Sequence, residues 1–364
     1  MRRRLATAVA VSAIVVVAAP YVGQIRAAIR SALPGQYRLV IGGTIAAAVA
    51  LALVAAFARI RERRALRYGL IAAALAGGVI YAAATATGNA DVDVVERFHF
   101  VEYGFLTVLF YRVWNERGNV TSLVFPLLSG LMIGTFDEGF QWLVPARVGE
   151  LRDVLLDGVA VACGLAFAIG LELPGSVNAA MDRRTRRELV AFVAIATLTV
   201  AAFFHAVHLG HDIDAADAGR FLSRFTAAEL TEAAHDRAVR WRLEPPAVLR
   251  RLSIEDHYLA EGLWHIQRRN EGHGLHTWKE NLILERFFEP VLDFPTYSTP
   301  SGARWPRQQR ANVEASEASD ARAYVSDANP YPIYTSRPWA FWTGVVAFLA
   351  AVATVIMKTG RSRA

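Results

Sequence analysis

Long apolar runs dominate the chain and restrict what it can fold into. Each is close to the 20 or so residues that cross about 30 Å of hydrocarbon as a helix. The eight runs lie near residues 5–21, 38–58, 68–87, 98–114, 120–139, 153–172, 188–208 and 338–357. The first has the flanks of a signal peptide, but the further runs favour a retained helix. The sequence therefore predicts an all-α, polytopic membrane bundle of about eight transmembrane helices.

Arginine-rich loops predict the orientation of this bundle. Basic residues gather in loop 59–67, at Arg112 and Arg117, in loop 183–187 and after residue 357. All of these positions lie on the side of the N-terminus when the spans alternate, so both termini are predicted to be cytoplasmic, in the inner membrane. Residues 209–337 then lie outside the cytoplasm. They are slightly acidic, and the basic excess sits in short loops, so nucleic-acid binding is not predicted.

The order of the runs predicts five parts of the chain. They are residues 1–88 with the N-terminal transmembrane helices, 89–172 with a second transmembrane domain, 173–208 with the seventh span and its cytoplasmic loop, 209–337 as an α-helical extracytoplasmic domain, and 338–364 with the last span and a basic tail. Within 209–337, Thr226, Ser253 and Thr277 each precede an acidic residue by three positions, as in an N-terminal capping box. A further helix is predicted from Arg307 to Ala323. One cysteine, Cys163, excludes an intramolecular disulfide.

Polar side chains interrupt the apolar segments in two places. Ionisable groups at membrane depth are costly and usually face a bundle interior or a wet cavity. The candidate ligand-binding residues are His99, Glu102, Tyr103, Glu138, Gln141, Arg147, Asp153 and Asp157. Helical spacing places the first three on one face of one helix. With the predicted topology, the whole set gathers at the outer leaflet.

These residues resemble the motifs of the VanZ-like membrane family. The matching residues are His99, Phe100 and Tyr103 at the start of one helix, Glu138 and Gln141 at the end of the next, and then Arg147, Asp153 and Gly164. The departures are Asp157 in place of an asparagine, Ala160 in place of a glycine, and Val95 with Glu96 in place of an acidic-basic pair. The resemblance covers about residues 90–170. It implies a role in a bacterial envelope, and the family is associated with teicoplanin resistance.

Several functions fit this arrangement. We expect the site to bind a polar or anionic headgroup of an envelope lipid or lipid-linked precursor, because the planar guanidinium of Arg147 suits an oxyanion. One alternative is a membrane-embedded hydrolase or transferase in which Glu138 or His99 is the general base. Another is a proton-coupled transporter, since carboxylates and a histidine also form relays. A polar network that merely packs the helices is a further alternative. The sequence therefore leaves enzymatic activity open, with binding favoured.

Histidines concentrate after residue 204 and raise the question of a metal. His257, Glu261 and His265 follow an i, i+4, i+8 pattern and would ligate zinc or iron if His273 or His276 completed the set. A solvated helix face explains the same pattern. For His205, His208 and His211 we expect an interface cluster at a helix end. A divalent metal in the outer segment, and an envelope protein that binds residues 209–337, are thus both open hypotheses.

Overall fold

The computed structural model describes residues 1–175, 177–178, 180–317 and 322–358. Its first seven helices are α1 (Arg2–Ala32), α2 (Tyr37–Arg59), α3 (Arg64–Ala84), α4 (Ala90–Trp114), α5 (Thr121–Trp142), α6 (Leu151–Leu171) and α7 (Arg183–His208). The next are α8 (Ala227–Arg240), α9 (His257–Glu271), α10 (Leu275–Phe287), α11 (Glu289–Asp293), α12 (Arg307–Glu317) and α13 (Pro338–Lys358). The strands are β1 (Leu209–Ala215), β2 (Gly219–Ser223) and β3 (Tyr334–Thr335).

Among the described helices, seven are long and apolar enough to cross a membrane. They are α1, α2, α3, α5, α6, α7 and α13. Helix α4 covers the predicted span 98–114, but it carries several charged side chains: Asp91, Asp93, Glu96, Arg97, Glu102 and Arg112. The predicted all-α membrane bundle is confirmed, and the chain is a multi-pass membrane protein. The fourth predicted span is the polar helix of the bundle.

The chain divides into two compact units. The first contains Met1–Phe140, Leu151–Ala202 and Trp342–Ala364, and the second contains Gln141–Glu150 and Phe203–Phe341. Residues 141–150, which we call the connector, therefore group with the segment predicted to lie outside the cytoplasm. The order of the apolar runs instead predicts them as part of the transmembrane domain 89–172. Residues 359–364 of the predicted basic tail lie outside the described residues.

Helices α4 and α6 form the centre of the first unit. Their backbones approach closely where two glycines meet, since a Cβ atom on Gly164 would lie 2.6 Å from the Cα of Gly104. Tyr103, Leu106, Ala160 and Val161 form a buried cluster beside this crossing. The glycine pair lets polar side chains one to two turns earlier in both helices reach each other.

The second unit contains a small sheet that was not predicted. Strand order is β2-β1-β3, with β1 and β2 antiparallel and β1 and β3 parallel. Buried Ile213 pairs with buried Phe221, whereas Asp212 and Asp214 on either side of Ile213 are exposed. This alternation has the period of two of a strand, so residues 209–223 add a β-hairpin to the segment that was predicted as α-helical.

Helix starts in the second unit test the three predicted capping boxes. Thr226 forms the complete box with Glu229 at the start of α8. The prediction at Ser253 is wrong, because Asp256 is the N-terminal cap of α9. The prediction at Thr277 is also wrong, since α10 begins two residues earlier, after Gly274 in the left-handed region. The helix predicted from residue 307 reaches Glu317, and residues 318–321 lie outside the described part.

Candidate functional site

Helix α4 presents His99 and Tyr103 on one face, one turn apart. Their rings stack with centroids 5.8 Å apart. Asn89 caps the helix by accepting a hydrogen bond from the backbone N–H of Asp91 at 3.1 Å. Tyr103 is completely buried, whereas the His99 side chain retains 19% of its exposure. The helix therefore anchors a tyrosine in the core and leaves one histidine partly accessible.

Asp157 of α6 is the partner of His99. The Nδ1–H of His99 donates to Asp157 Oδ1 at 2.8 Å, and the Asp157 side chain is fully buried. Both residues precede the Gly104–Gly164 crossing, by five and seven positions, so the close helix packing accounts for this contact. The other oxygen, Asp157 Oδ2, is buried without a hydrogen-bond partner among the described residues.

Helix α5 contributes two carboxylates to the same region. The Tyr103 hydroxyl donates to Asp137 Oδ2 at 3.0 Å. Glu138 is fully buried and lies near enough to Tyr103 to interact with it electrostatically. Asp137 was not among the candidate binding residues, which included only its neighbour. Adjacent helical residues point about 100° apart, and the sequence alone does not tell which of two neighbouring acids faces α4.

Gly134 makes room for the Asp157 carboxylate. A Cβ atom at position 134 would lie 2.7 Å from Asp157 Oδ2 and 2.9 Å from Asp157 Cβ. The carboxylate therefore rests against the bare backbone of α5, one turn before Glu138. Any larger side chain at this position must displace Asp157 from its present place.

The remaining first-unit candidates surround His99. The carboxylates of Glu102 and Asp153 are both near enough to interact with its ring electrostatically. We use the name polar cluster for the residues of this region, which are His99, Glu102, Tyr103, Asp137, Glu138, Asp153 and Asp157. Five of its seven members are acidic. The cluster therefore offers many hydrogen-bond acceptors and favours a ligand that brings hydroxyl or ammonium donors.

Gln141 and Arg147 belong to the connector in the second unit. The Arg147 guanidinium donates to the side-chain oxygen of Gln141. The preceding residue, Ala146, has a φ of 57°, a left-handed conformation that is uncommon for a residue with a side chain. Its backbone N–H donates to the buried carboxylate of Glu255 at 2.9 Å. The second unit thus holds the backbone immediately before Arg147 in a strained conformation.

Trp142, near the start of the connector, packs against other residues of the second unit. Its indole stacks on His257 with ring centroids 4.1 Å apart, and the Arg224 guanidinium lies 4.6 Å from the centre of the indole ring. The backbone N–H of Glu255 donates to the carbonyl of Leu143 at 2.9 Å. Burial and the nearby Arg224 charge lower the pKa of His257 to about 3. The neutral imidazole of His257 therefore stacks on the Trp142 indole and helps to fix the connector within the second unit.

The three candidate metal ligands have separate partners. His257 stacks on Trp142, Glu261 accepts from Ser223 Oγ at 2.6 Å, and the Nδ1–H of His265 donates to Glu280 Oε2 at 2.6 Å. Glu261 and His265 are fully buried, so the alternative of a solvated helix face is wrong for them. Burial raises the pKa of Glu261. Among the described residues, no group of three or more His, Cys, Asp or Glu side chains is placed to hold a metal ion.

The histidines near the end of α7 do not form one helical row. His211 lies in β1, whereas His208 is buried and the Nδ1–H of its ring donates to the carbonyl of Pro332 at 2.8 Å. His208 also contacts Tyr331 edge to face. These contacts join the start of the sheet to the segment before α13 within the second unit.

Comparison with known proteins gives one match. The family model described as VanZ/LLP1 matches residues 27–172. No curated protein matches the chain, and no solved structure matches it. The matched range runs from the last turn of α1 to the end of α6 and contains every residue of the polar cluster and the connector. It begins well before the range of about 90–170 that the motifs had indicated.

Proposed function

Because residues 27–172 are a VanZ-like domain in a multi-pass membrane protein, we propose that this domain binds the polar headgroup of an envelope amphiphile. The observation that carries the proposal is the pair of partly exposed His99 and buried Asp157, whose Nδ1 and Oδ1 atoms are 2.8 Å apart. An acceptor buried without a donor costs about 1–3 kcal/mol. Because Asp157 Oδ2 faces the backbone of Gly134, a ligand hydroxyl or ammonium would reach the pair at His99, its partly exposed member.

The composition of the polar cluster supports a ligand rather than packing alone. Interhelical hydrogen bonds in membranes contribute about 0.6 kcal/mol each, and Ser, Thr or Asn side chains suffice for them. Asp137, Glu138 and Asp157 are buried in α5 and α6, and burying three carboxylates costs much more than such hydrogen bonds contribute. The partial exposure of His99 leaves an edge of the imidazole open to a headgroup.

Arg147 is included in the proposal on the basis of the sequence. It lies in the connector, between Glu138 and Asp153 along the chain, and a guanidinium stays charged when partly buried. Its planar fork suits a phosphate or carboxylate better than a lysine ammonium does. Arg147→Lys should lower ligand retention while insertion stays normal, and Arg183→Lys and Arg184→Lys are the controls. Equal behaviour of the three variants would remove Arg147 from the proposal.

The outer leaflet is the proposed location of the headgroup. The arginine distribution supports this location, because the loop 59–67 and the C-terminal turn of α4 are expected on the cytoplasmic side by the positive-inside rule. Asp137 and Glu138 lie in the last two turns of α5, and Asp153 and Asp157 lie in the first two turns of α6. His99 lies about 20 Å before Arg112 along the axis of α4 at 1.5 Å per residue. We propose that a bacterial envelope lipid or lipid-linked precursor places its headgroup at these ends of α5 and α6.

The His99–Asp157 pair also favours a second candidate, a hydrolase or transferase of the same headgroup. An imidazole whose Nδ1–H is held by a carboxylate is the arrangement of a general base, with Nε2 available to take a proton. Incubation of the purified protein with an envelope lipid extract should then release a free headgroup, and His99→Gln should abolish release. Binding without any product in such an assay supports the first candidate.

The test of the binding proposal is native mass spectrometry of the protein purified in mild detergent. The wild type should carry one co-purified amphiphile in stoichiometric amount, and Asp157→Asn should lose it. Thr135→Val is a matched control, because Thr135 is buried in α5 but its hydroxyl donates to Leu131 of its own helix. The same lipids on all three proteins would contradict the proposal.

A further inference from the structure

A cavity of about 410 Å³ opens where α2, α4 and α6 end and α1 begins. Its polar lining consists of Arg4, Arg59, Tyr111, Arg112 and Glu172. Arg112 follows His99 by thirteen residues in α4, which is about 20 Å of helix. The cavity is therefore separate from the polar cluster, and its charge has the opposite sign. Its size is within the range of about 300–1,000 Å³ that small-molecule sites occupy.

The end of α6 forms one wall of the cavity. The side chains that hydrogen-bond to this wall are not those of Arg4, Arg59 and Arg112, which we call the cavity arginines. The Tyr111 hydroxyl donates to the backbone carbonyl of Glu172 at 2.7 Å, and Asn115 donates to the Glu172 carboxylate at 3.2 Å. Arg67, from α3, donates to the carbonyl of Gly170 at 2.8 Å. These donors satisfy the last carbonyls of the helix and complement its negative end.

The cavity arginines carry an excess of positive charge. Arg4 donates to the carbonyl of Arg112 at 3.0 Å and pairs with exposed Glu116 at 2.7 Å. In the part of the chain that the structure describes, neither Arg59 nor Arg112 has a carboxylate partner. Guanidinium groups bind phosphate and carboxylate oxygens in pairs of parallel hydrogen bonds. Arg59 and Arg112 are therefore available to hold an oxyanion.

An apolar surface adjoins the charged one in the same helix. Within the last three turns before Arg59, α2 exposes Leu51, Val54 and Phe57 at 71%, 64% and 64%. In a membrane such side chains contact acyl chains. A molecule with a phosphate head and an acyl tail would thus find both kinds of surface on one helix.

We propose that this cavity binds the phosphate of an anionic phospholipid headgroup. Basic pockets between transmembrane helices favour such headgroups because the guanidinium charges act at the edge of a low-dielectric medium. Topology alone requires arginines in these loops, but not arginines that line a cavity. The cavity arginines are thus distinguished from Arg61 and Arg64, which are exposed between the end of α2 and the first residue of α3 and do not line the cavity.

The test uses the full-length protein, delipidated in neutral detergent and titrated with phosphatidylglycerol or phosphatidylcholine. Bound lipid is counted by native mass spectrometry. The double variant Arg59→Gln/Arg112→Gln should weaken phosphatidylglycerol binding by about tenfold or more. Arg61→Gln/Arg64→Gln is the matched control, since it removes the same charge outside the cavity, and it should bind like the wild type. Unchanged melting temperatures without added lipid show that both variants fold.

Three results would overturn the proposal. Equal weakening by both double variants would show that net charge alone attracts the lipid. Equal binding of phosphatidylcholine and phosphatidylglycerol by the wild type would show no preference for an anionic headgroup. Displacement of phosphatidylglycerol by an equimolar amount of inorganic phosphate would show that the cavity binds free phosphate and not a lipid. Retention of phosphatidylglycerol against phosphate, with its loss only from the cavity variant, supports the lipid site.

Discussion

Asp157 accepts a hydrogen bond from His99 on one carboxylate oxygen, while the other oxygen rests against the backbone of Gly134. The contact depends on three helices, because His99 lies in α4, Gly134 in α5 and Asp157 in α6. At the residue scale, the position of the Asp157 carboxylate therefore depends on the absence of a side chain at Gly134.

Gly134→Ala tests this dependence. The added Cβ would lie 2.7 Å from Asp157 Oδ2, so the carboxylate must move away from its present position. We expect retention of the co-purified amphiphile to fall about tenfold, which corresponds to about 1.4 kcal/mol. Gly43→Ala, with open space around it in α2, is the control and should retain the amphiphile. Full retention by Gly134→Ala would show that the carboxylate position is unimportant.

Single residues show how far the sequence predicts the site. The i, i+4 spacing of His99 and Tyr103 predicted a shared face, and their rings do stack. Asp137 was missed because the period of a helix does not select between adjacent acids. For His257, Glu261 and His265 the spacing was correct for one helix face, but their partners come from distant segments. Trp142, Ser223 and Glu280 are 115, 38 and 15 residues away, and local periodicity carries no information on them.

At the scale of elements, the crossing of α4 and α6 organises the first unit. Gly164→Ala would place a Cβ atom 2.6 Å from the Gly104 backbone, which cannot rotate away as a side chain can. We expect overpacking to destabilise the bundle by about 1–3 kcal/mol. The measurement is the melting temperature in detergent.

Gly158→Ala in the same helix is the matched control for this prediction. Its Cβ would meet only Leu131 Cδ1 at 3.8 Å, an ordinary contact, so its melting temperature should stay near that of the wild type or rise. Equal melting temperatures for the two variants would show that the glycine crossing does not determine the stability of the bundle.

The connector is the corresponding element of the second unit. The stability that it gains from packing within this unit should depend on pH. His257 has a pKa of about 3 when folded, against about 6.5 when unfolded. Below pH 6.5 the unfolded chain binds a proton that the folded chain does not, so stability is present above that pH and is lost as pH falls toward 3. Between about pH 7.5 and about pH 5 this loss is about 2 kcal/mol.

His257→Gln removes this titration and should flatten the dependence of stability on pH. Burial raises the pKa values of Glu255 and Glu261, which act in the opposite direction, but both residues are present in wild type and variant. The difference between the two curves therefore isolates His257. Chemical denaturation followed by tryptophan fluorescence measures it, and parallel curves would contradict the burial of a neutral imidazole.

Elements also differ in how well the sequence predicted them. Transmembrane helices were predicted because their length and apolar character are set by the bilayer. The β1–β2 hairpin was not, since its strands have only seven and five residues and the first follows directly on α7. Asp256 and Gly274 replaced two predicted caps because several residues near a helix start can serve, and packing selects among them.

At the scale of the whole molecule, the proposed function depends on orientation. Single cysteines in a Cys163→Ala background test it, with Ser253→Cys in the second unit and Glu62→Cys in the loop after α2, both at exposed positions. In spheroplasts, a membrane-impermeant maleimide should label Ser253→Cys directly and Glu62→Cys only after permeabilisation. The opposite pattern would place the polar cluster near the inner leaflet.

His99 and Asp157 are proposed to act together on a bound headgroup, and a double-mutant cycle measures this coupling. Native mass spectrometry would measure the co-purified amphiphile on the wild type, His99→Gln, Asp157→Asn and the double variant. Each single variant should lose most of the amphiphile, and the double variant should lose no more than the worse single, because coupled residues are non-additive. Retention of the same amphiphile by all four proteins would contradict the claim.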